Sequence, residues 1–348
     1  MIDFRYHLVS LISVFVALAV GIILGAGPLQ KAIGDQLTDQ VAALRAERTD
    51  LRESLGEVEA ELSDQNAYAL AAGKELVAGS LEGVTVAVVD VEGASDTLEA
   101  DVVSQLEAAG ARIVAQASLT DAWTSADDAV LRGTVADGQR EHLDDTIDSE
   151  DGTAGVLGAV LGLALTESDA QAPSTRSARS VELYELLLRV GFVESRFEPS
   201  APADAVLLLG AAATDQSAPA GTDAADAPED VDIVAVVSSL QTAAHAVVVA
   251  GPTVGEGDVV SDVRADDDVA SRVSTVSGTE REVMRLNVPL ALAAQLADEV
   301  GHYGFDGDSV VIPPAVELPE QDGATSASVP DIEDGTGTVG AGDAGEDS

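Results

Sequence analysis

A histidine and two aspartates near the end of the chain are the residues whose types and spacing could bind a metal. His302 is followed by Asp306 and Asp308, and imidazole with oxygen donors is a ligand set that divalent transition metals accept. The three residues are therefore the predicted metal site. The alternative interpretation is a turn after a helix end, with His302 as an exposed polar side chain.

Other residue patterns that carry chemistry are missing from the sequence. There is no cysteine, which excludes disulfides, thiolate metal sites and cysteine nucleophiles, and there are only four histidines and two methionines. The loop after the first predicted strand lacks G-x-G-x-x-G, and neither a Walker-type phosphate loop nor a G-x-S-x-G elbow occurs. We therefore predict that the protein is not an enzyme.

Composition restricts the partners of the 348-residue chain. It holds 62 acidic and 17 basic residues, for a formal net charge of −45. Such a chain repels nucleic acid and anionic lipid headgroups, so we predict no nucleic-acid partner.

The N-terminal segment has the length and composition of a membrane anchor. From Leu8 to Ala26 no side chain is charged, and at about 1.5 Å per residue this run nearly spans a hydrocarbon core roughly 30 Å thick. We predict a head over residues 1–7 and a transmembrane helix over 8–28. The alternative is a cleaved signal peptide, which Pro28 after the small-residue site disfavours. A short head favours export of the rest of the chain.

Residues 30–78 show the heptad pattern of a coiled coil. Apolar side chains recur at alternating steps of four and three residues, and Arg48 occupies one position of this series. The apolar members are Leu37, Val41, Leu44, Leu51, Leu55, Val58 and Leu62. Ala17, Gly21 and Gly25 repeat every fourth residue in the anchor and could let two helices approach closely. Together these patterns predict a parallel homodimer. The alternative is a long helix packed on its own domain.

Residues 81–312 alternate between apolar strand patterns and helix patterns, which predicts a mostly parallel, open α/β sheet of the Rossmann-like type. Expected strands are 84–90, 112–117, 205–209, 246–250 and 273–276, and expected helices are 96–109, 152–165, 181–190, 232–243 and an amphipathic one over 288–300. The apolar run 152–165 is interpreted as a core helix rather than a second membrane span.

Two segments lack the pattern of a folded element. Residues 211–230 form an acidic, low-complexity loop, and residues 313–348 form a tail rich in Gly, Ala, Ser and Asp. Both are predicted to be disordered. A ligand of the sheet is expected at its carboxyl edge, near Asp90–Glu92, Gly210 and Gly251.

Three sequence blocks resemble the actinobacterial copper transporter MctB family. They are MIDFRYHLVSL at residues 1–11 running into VFVALAVGIILG at 14–25, RVSTVSG at 272–278, and GHYG at 301–304 followed by two prolines at 313–314. The resemblance spans roughly residues 1–314 apart from the acidic loop.

The resemblance implies a single-pass protein of the cell membrane or cell envelope with a role in copper homeostasis or efflux. It makes a copper ion the metal to consider at His302. A related member is associated with cell division, which gives an alternative: a dimeric scaffold that links a cytoplasmic partner of the N-terminal head to peptidoglycan hydrolysis.

Overall fold

The computed structural model describes residues 4–91, 95–143, 147, 152–210, 232–252, 255, 258–307, 309–316 and 318. The predicted acidic loop and most of the predicted tail lie outside these residues. Contacts divide the chain into two compact units, residues 1–72 and 73–348.

The described part of the first unit is a single helix, α1, which runs from Phe4 to Val77, and the last five residues of this helix are assigned to the second unit. The predicted anchor and the predicted coil are thus parts of one helix, and its backbone stays helical through Pro28. The first turns, Phe4–Ile23, are long and apolar enough to cross a membrane.

The second unit is a mixed α/β domain. Its helices are α2 (Asp96–Ala108), α3 (Ala129–Arg140), α4 (Thr153–Thr166), α5 (Ala178–Val190), α6 (Ile233–Ala243), α7 (Val259–Ala265), α8 (Asp267–Ala270), α9 (Glu282–Arg285) and α10 (Asn287–Leu296). Its strands are β1 (Thr85–Asp90), β2 (Arg112–Leu119), β3 (Ser168–Asp169), β4 (Ala172–Arg176), β5 (Val193–Phe197), β6 (Ala205–Leu209), β7 (Ala246–Ala250), β8 (Ser274–Val276) and β9 (His302–Tyr303).

Seven strands form the main sheet in the order β5-β2-β1-β6-β7-β8-β9. All neighbours run parallel except β5, which is antiparallel to β2. The prediction of a mixed α/β domain with a mostly parallel sheet is confirmed, and all five expected strands are present. The sequence pattern does not indicate β5, β9 or the β3–β4 hairpin.

The sheet is covered by apolar helices because its central strands are buried on both faces. Every residue of β1, β6 and β7 is buried. Helix α4 is buried from Gly155 to Leu165, so the interpretation of this run as a core helix is confirmed.

Helix α10 differs from its prediction. The sequence predicts an amphipathic helix over 288–300, but α10 ends at Leu296 and is buried from Asn287 to Gln295. The chain leaves the helix through Asp298, whose φ is 61°. A residue in the left-handed region cannot continue a helix, so the helix ends well before Gly301.

Candidate functional site

The carboxyl edge of the sheet contains a change in chain direction beside β1. The chain passes from β1 to β2 on one side and later adds β6 on the other side. Open α/β sheets bind ligands outside the carboxyl ends of their strands at such a switch point. Asp90 is the last residue of β1, and Gly210 directly follows β6.

Two buried carboxyl groups lie next to each other at this switch point. Asp90 is 5% exposed, and Glu99 of α2 is 2% exposed. Gln116 of β2 donates a hydrogen bond from Nε2 to Glu99 Oε1 (3.0 Å). The Ser118 hydroxyl donates a longer one to Asp90 Oδ2 (3.4 Å).

One guanidinium group serves both of these carboxyls. Arg196 Nη2 of β5 lies 2.8 Å from Glu99 Oε2 and 3.8 Å from Asp90 Oδ2. The same nitrogen lies 2.6 Å from Oδ1 of Asp96, a third and solvent-exposed carboxylate. Three acidic groups therefore share a single positive charge, and the cluster has an excess of acid.

The charge imbalance changes how Asp90 titrates. Burial, followed by the hydrogen bond and the charge of Glu99, raises the pKa of Asp90 to about 7, while Arg196 and Ser118 act in the opposite direction. A buried carboxyl with a raised pKa at a switch point marks a candidate functional site.

The other half of the predicted ligand edge is filled by protein. Gly210 and Gly251 follow β6 and β7, and a β-carbon on either residue would collide with Val259 or Val260 at the start of α7. Both valines are buried. The edge near these two glycines therefore serves helix packing, and the candidate site is restricted to the side of β1.

The structure places His302 and Asp306 in a separate network around Arg264 of α7. His302 Nδ1 is 2.9 Å from the Thr275 hydroxyl, which accepts a 2.7 Å hydrogen bond from Arg264 Nε. The imidazole also hydrogen-bonds the backbone of Ala270, and burial together with the charge of Arg264 lowers the pKa of His302. Both sides of this ring are in use by protein groups.

Asp306 is held by the same arginine. Its carboxylate pairs with Arg264 and accepts a hydrogen bond from Ser277. Although burial acts in the other direction, these partners lower the pKa of Asp306. Asp308 lies outside the described residues, so the metal site at His302, Asp306 and Asp308 stays a prediction. Among the described residues no group of three or more His, Cys, Asp or Glu side chains could hold a metal ion.

The helix-packing and coil residues all lie on α1. Nothing lies within 4 Å of a β-carbon placed on Gly21 or Gly25, and Ala17 is exposed on the same helix. The seven predicted heptad side chains are between 39% and 64% exposed in the single chain: Leu37, Val41, Leu44, Leu51, Leu55, Val58 and Leu62. The coiled coil and its register stay predictions.

Surface cavities of the described part of the domain include two of similar volume. One, of about 580 Å³, lies at the amino ends of β1, β6 and β7 and is lined by Glu82, Asp204 and His245 among others. The second, of about 600 Å³, is lined by residues of α3 and α5, including Arg179 and Arg189. Neither cavity includes the residues of the Asp90 cluster.

Of the three residues Asp90, Glu99 and Arg196, only Asp90 was predicted from the sequence. Glu99 could have been suspected as a carboxylate in the first turns of the helix that follows β1. Arg196 carries no such signal, because it lies on the strand β5 that the sequence pattern did not reveal.

Comparison with known proteins decides the family. A family described as copper transport outer membrane protein, MctB, matches residues 1–314. The chain belongs to the MctB family. Proteins named copper transporter MctB from Mycobacterium bovis and from two strains of Mycobacterium tuberculosis are 27% identical to this chain over 315 residues. The similarity covers 87% of this chain and 96% of each relative.

The MctB-family blocks in the C-terminal half form one structural network. Block 272–278 contains β8 and block 301–304 contains β9, and these two strands pair in parallel. Gln295 ties the first block to α10 by accepting from the Ser274 amide and donating to the Arg272 carbonyl. The blocks therefore contribute at least in part to domain stability.

Proposed function

We propose that this MctB-family protein acts in copper homeostasis at the cell envelope as a single-pass membrane protein. The observation that carries the proposal is the family match over residues 1–314. The apolar segment Phe4–Ile23 supports the anchoring. The family description as an outer membrane protein supports a topology with the α/β domain outside the cytoplasm. The family is one of copper transporters and not of enzymes, and we propose no catalytic role.

Residue types limit how copper would be handled. Copper(I) prefers thiolate and thioether ligands, and copper(II) prefers imidazole, whereas this chain has no cysteine, two methionines and four histidines. Copper at His302 would have to displace Thr275 or Ala270 from the ring, and copper at Asp306 would have to displace Arg264. We infer that copper is a weakly held cargo and not a resident metal.

The test is a deletion strain of the source organism, scored for growth in rising copper and for cell-associated copper by mass spectrometry. We expect reduced copper tolerance, restored by the full chain and not by a chain that lacks residues 1–28. We expect a His302→Gln chain to restore tolerance fully, because we infer that copper is not held as a resident metal at His302. Unchanged tolerance and unchanged cell copper in the deletion strain would refute the copper role.

A second candidate function is that of a dimeric envelope scaffold. Seven apolar heptad side chains are exposed on α1, and a second copy in parallel register would cover them. Ala17, Gly21 and Gly25 on the same helix favour the same partner within the membrane. In such a dimer Glu47 of one copy and Arg52 of the other occupy the positions at which parallel helices exchange charge. The head, residues 1–7, would then face a cytoplasmic partner.

Cysteine crosslinking tests the dimer cleanly because the chain has no cysteine of its own. Leu44→Cys places a thiol at a core position of the heptad, and Ala46→Cys places one on the outer face as the matched control. Oxidation in membranes should give a covalent dimer with Leu44→Cys and little with Ala46→Cys. Equal crosslinking of both variants, or of neither, would contradict the parallel coil.

Prolines at Leu44 and Leu51 separate the two candidate functions. They should break the coil, because proline removes backbone hydrogen bonds within a helix. Under the scaffold hypothesis the variant loses partner recruitment and cell separation while copper tolerance stays normal. Loss of copper tolerance with normal separation would favour the copper role.

A further inference from the structure

The Asp90–Glu99 pair contains polar atoms that the protein leaves without hydrogen bonds. Asp90 Oδ1 and Glu99 Oε2 are buried and have no hydrogen-bond partner among the described residues. Arg196 Nη2 approaches Glu99 Oε2 to 2.8 Å, so that contact is an electrostatic one without hydrogen-bond alignment. Buried carboxyl oxygens without partners are costly, and protonation is the usual way to reduce the cost.

The charged groups around the pair are few. Helix α2 contributes Glu99 and Asp96, and β5 contributes Arg196. The residues paired with Asp90 on the neighbouring strands are Ser118 of β2 and Leu209 of β6, which do not titrate.

One further acid lies nearby on β5. Glu194 pairs with Ser118 across the sheet and is exposed. The described surroundings therefore contain one basic side chain, Arg196, and four acidic ones, Asp90, Asp96, Glu99 and Glu194.

We propose that the Asp90 carboxyl beside Glu99 is a proton-binding site that controls how firmly α2 and β5 are held at the switch-point edge of the sheet. In the protonated state Asp90 donates to Glu99, and Arg196 faces the negative charge of Glu99. In the deprotonated state two neighbouring carboxylates repel each other beneath one guanidinium. The repulsion acts between β1 and α2, and the single positive charge of Arg196 offsets only part of it.

The direction of the change in stability with pH follows from the raised pKa of Asp90. The pKa of Asp90 rises from 3.8 to about 7 in the folded domain, so the folded state keeps a proton that the opened state releases. The switch-point edge with α2 and β5 is therefore most stable below about pH 4. Its stability falls as the pH rises to about 7 and changes little at higher pH. Each pKa unit corresponds to about a tenfold change in the opening equilibrium.

Amide hydrogen exchange of the full chain in detergent micelles tests the proposal. Peptides from α2 and β5 are compared at pH 5.5 and pH 8, after correction for the intrinsic pH dependence of amide exchange. We expect the wild type to lose protection by about tenfold or more at pH 8. Peptides from β7 provide the internal reference and should change much less.

Matched variants give the test its specificity. Asp90→Asn keeps the shape and stays neutral at every pH, so its α2 and β5 peptides should change less than about twofold. Asp96→Asn alters the exposed partner of Arg196 and should keep the wild-type pH dependence. Glu99→Gln removes the repelling carboxylate and should give a smaller pH response than wild type, which preserves the test if Asp90→Asn does not fold.

Three results would overturn the proposal. One is a wild type without pH-dependent protection in α2 and β5. Another is a pH response that survives in both Asp90→Asn and Glu99→Gln. The third is a response that disappears in Asp96→Asn, since the exposed carboxylate would then be the titrating group.

Discussion

Two charged clusters near the carboxyl edge of the sheet differ in how acid and base are matched. Around Arg264, one buried guanidinium faces one carboxylate, and its remaining donors reach the Thr275 hydroxyl and the Tyr303 carbonyl. Around Arg196, one half-exposed guanidinium faces three carboxylates, two of them buried.

The two clusters show that burial alone does not decide the direction of a pKa shift. Asp306 is partly buried, yet its partners lower its pKa, whereas the pKa of Asp90 is raised to about 7. Asp90 is more deeply buried and faces a second carboxyl, whereas the ion pair and the hydrogen bonds of Asp306 favour its charged form. A matched cluster stabilises a fold, and a cluster with excess acid binds protons.

The largest expected effect comes from breaking the matched cluster. Arg264→Ala leaves the Asp306 carboxylate without its counter-ion, and the Asp306 side chain is only 28% exposed. Loss of one partner from such a pair should lower the free energy of unfolding by about 3 kcal/mol, measured by urea titration of the detergent-solubilised chain.

Arg281→Ala is the control for that experiment. Arg281 is 53% exposed and lies over the Phe305 ring, so its removal should cost less than about 1 kcal/mol. Equal effects of the two variants would mean that the Arg264 network contributes no more than a surface contact.

The pH dependence of the Asp306→Asn variant tests the comparison between the Arg264 and Arg196 clusters. The folded pKa of Asp306 lies below its ordinary 3.8. The Asp306 carboxylate therefore stabilises the fold above pH 4, and this stabilisation is lost as the pH falls through the folded pKa. The variant should be about 1–2 kcal/mol less stable than wild type at pH 7, and the difference should shrink towards pH 3. A constant difference across pH 3–7 would show that the charge of Asp306 is unimportant.

The sequence predicted the parts of the fold that depend on local patterns. Continuous apolar runs located β1, β6 and β7, because strands buried on both faces need them. The strand β5 escaped because its VESRF sequence (193–197) mixes charged and apolar residues, as an edge strand exposed on one side does. The antiparallel direction of β5 depends on tertiary pairing and has no local signal.

The candidate site was harder to predict than the fold. Asp90 could be placed at the carboxyl edge from strand order alone. The partner Arg196 is 106 positions away and lies on the unpredicted strand, so the imbalance of charge became visible only in three dimensions. The same holds for His302 and Arg264, where the sequence suggested a metal ligand and the structure gives the imidazole protein partners on both sides.

Asp90→Asn should act in the opposite direction to Asp306→Asn. It removes a carboxylate whose ionisation the fold opposes, so at pH 8 it should raise the free energy of unfolding by about 1 kcal/mol. At pH 4, where the wild-type group is already neutral, the variant should match wild type within experimental error. Urea titrations at both pH values provide the measurement, and a destabilised variant at pH 8 would show that the Asp90 charge is compensated.

Arg196→Ala gives the smallest expected effect and the sharpest contrast with Arg264→Ala. At pH 5 Asp90 retains its proton and the pair carries one negative charge, so removal of the half-exposed arginine should cost about 1 kcal/mol. At pH 8 the pair is ionised, and the cost should rise because no other described cation faces it. Thermal unfolding at pH 5 and pH 8 measures this change, and Arg264→Ala should show no such increase with pH. If both arginines behaved alike, the excess of acid around Arg196 would have no physical consequence, and the two clusters would differ only in exposure.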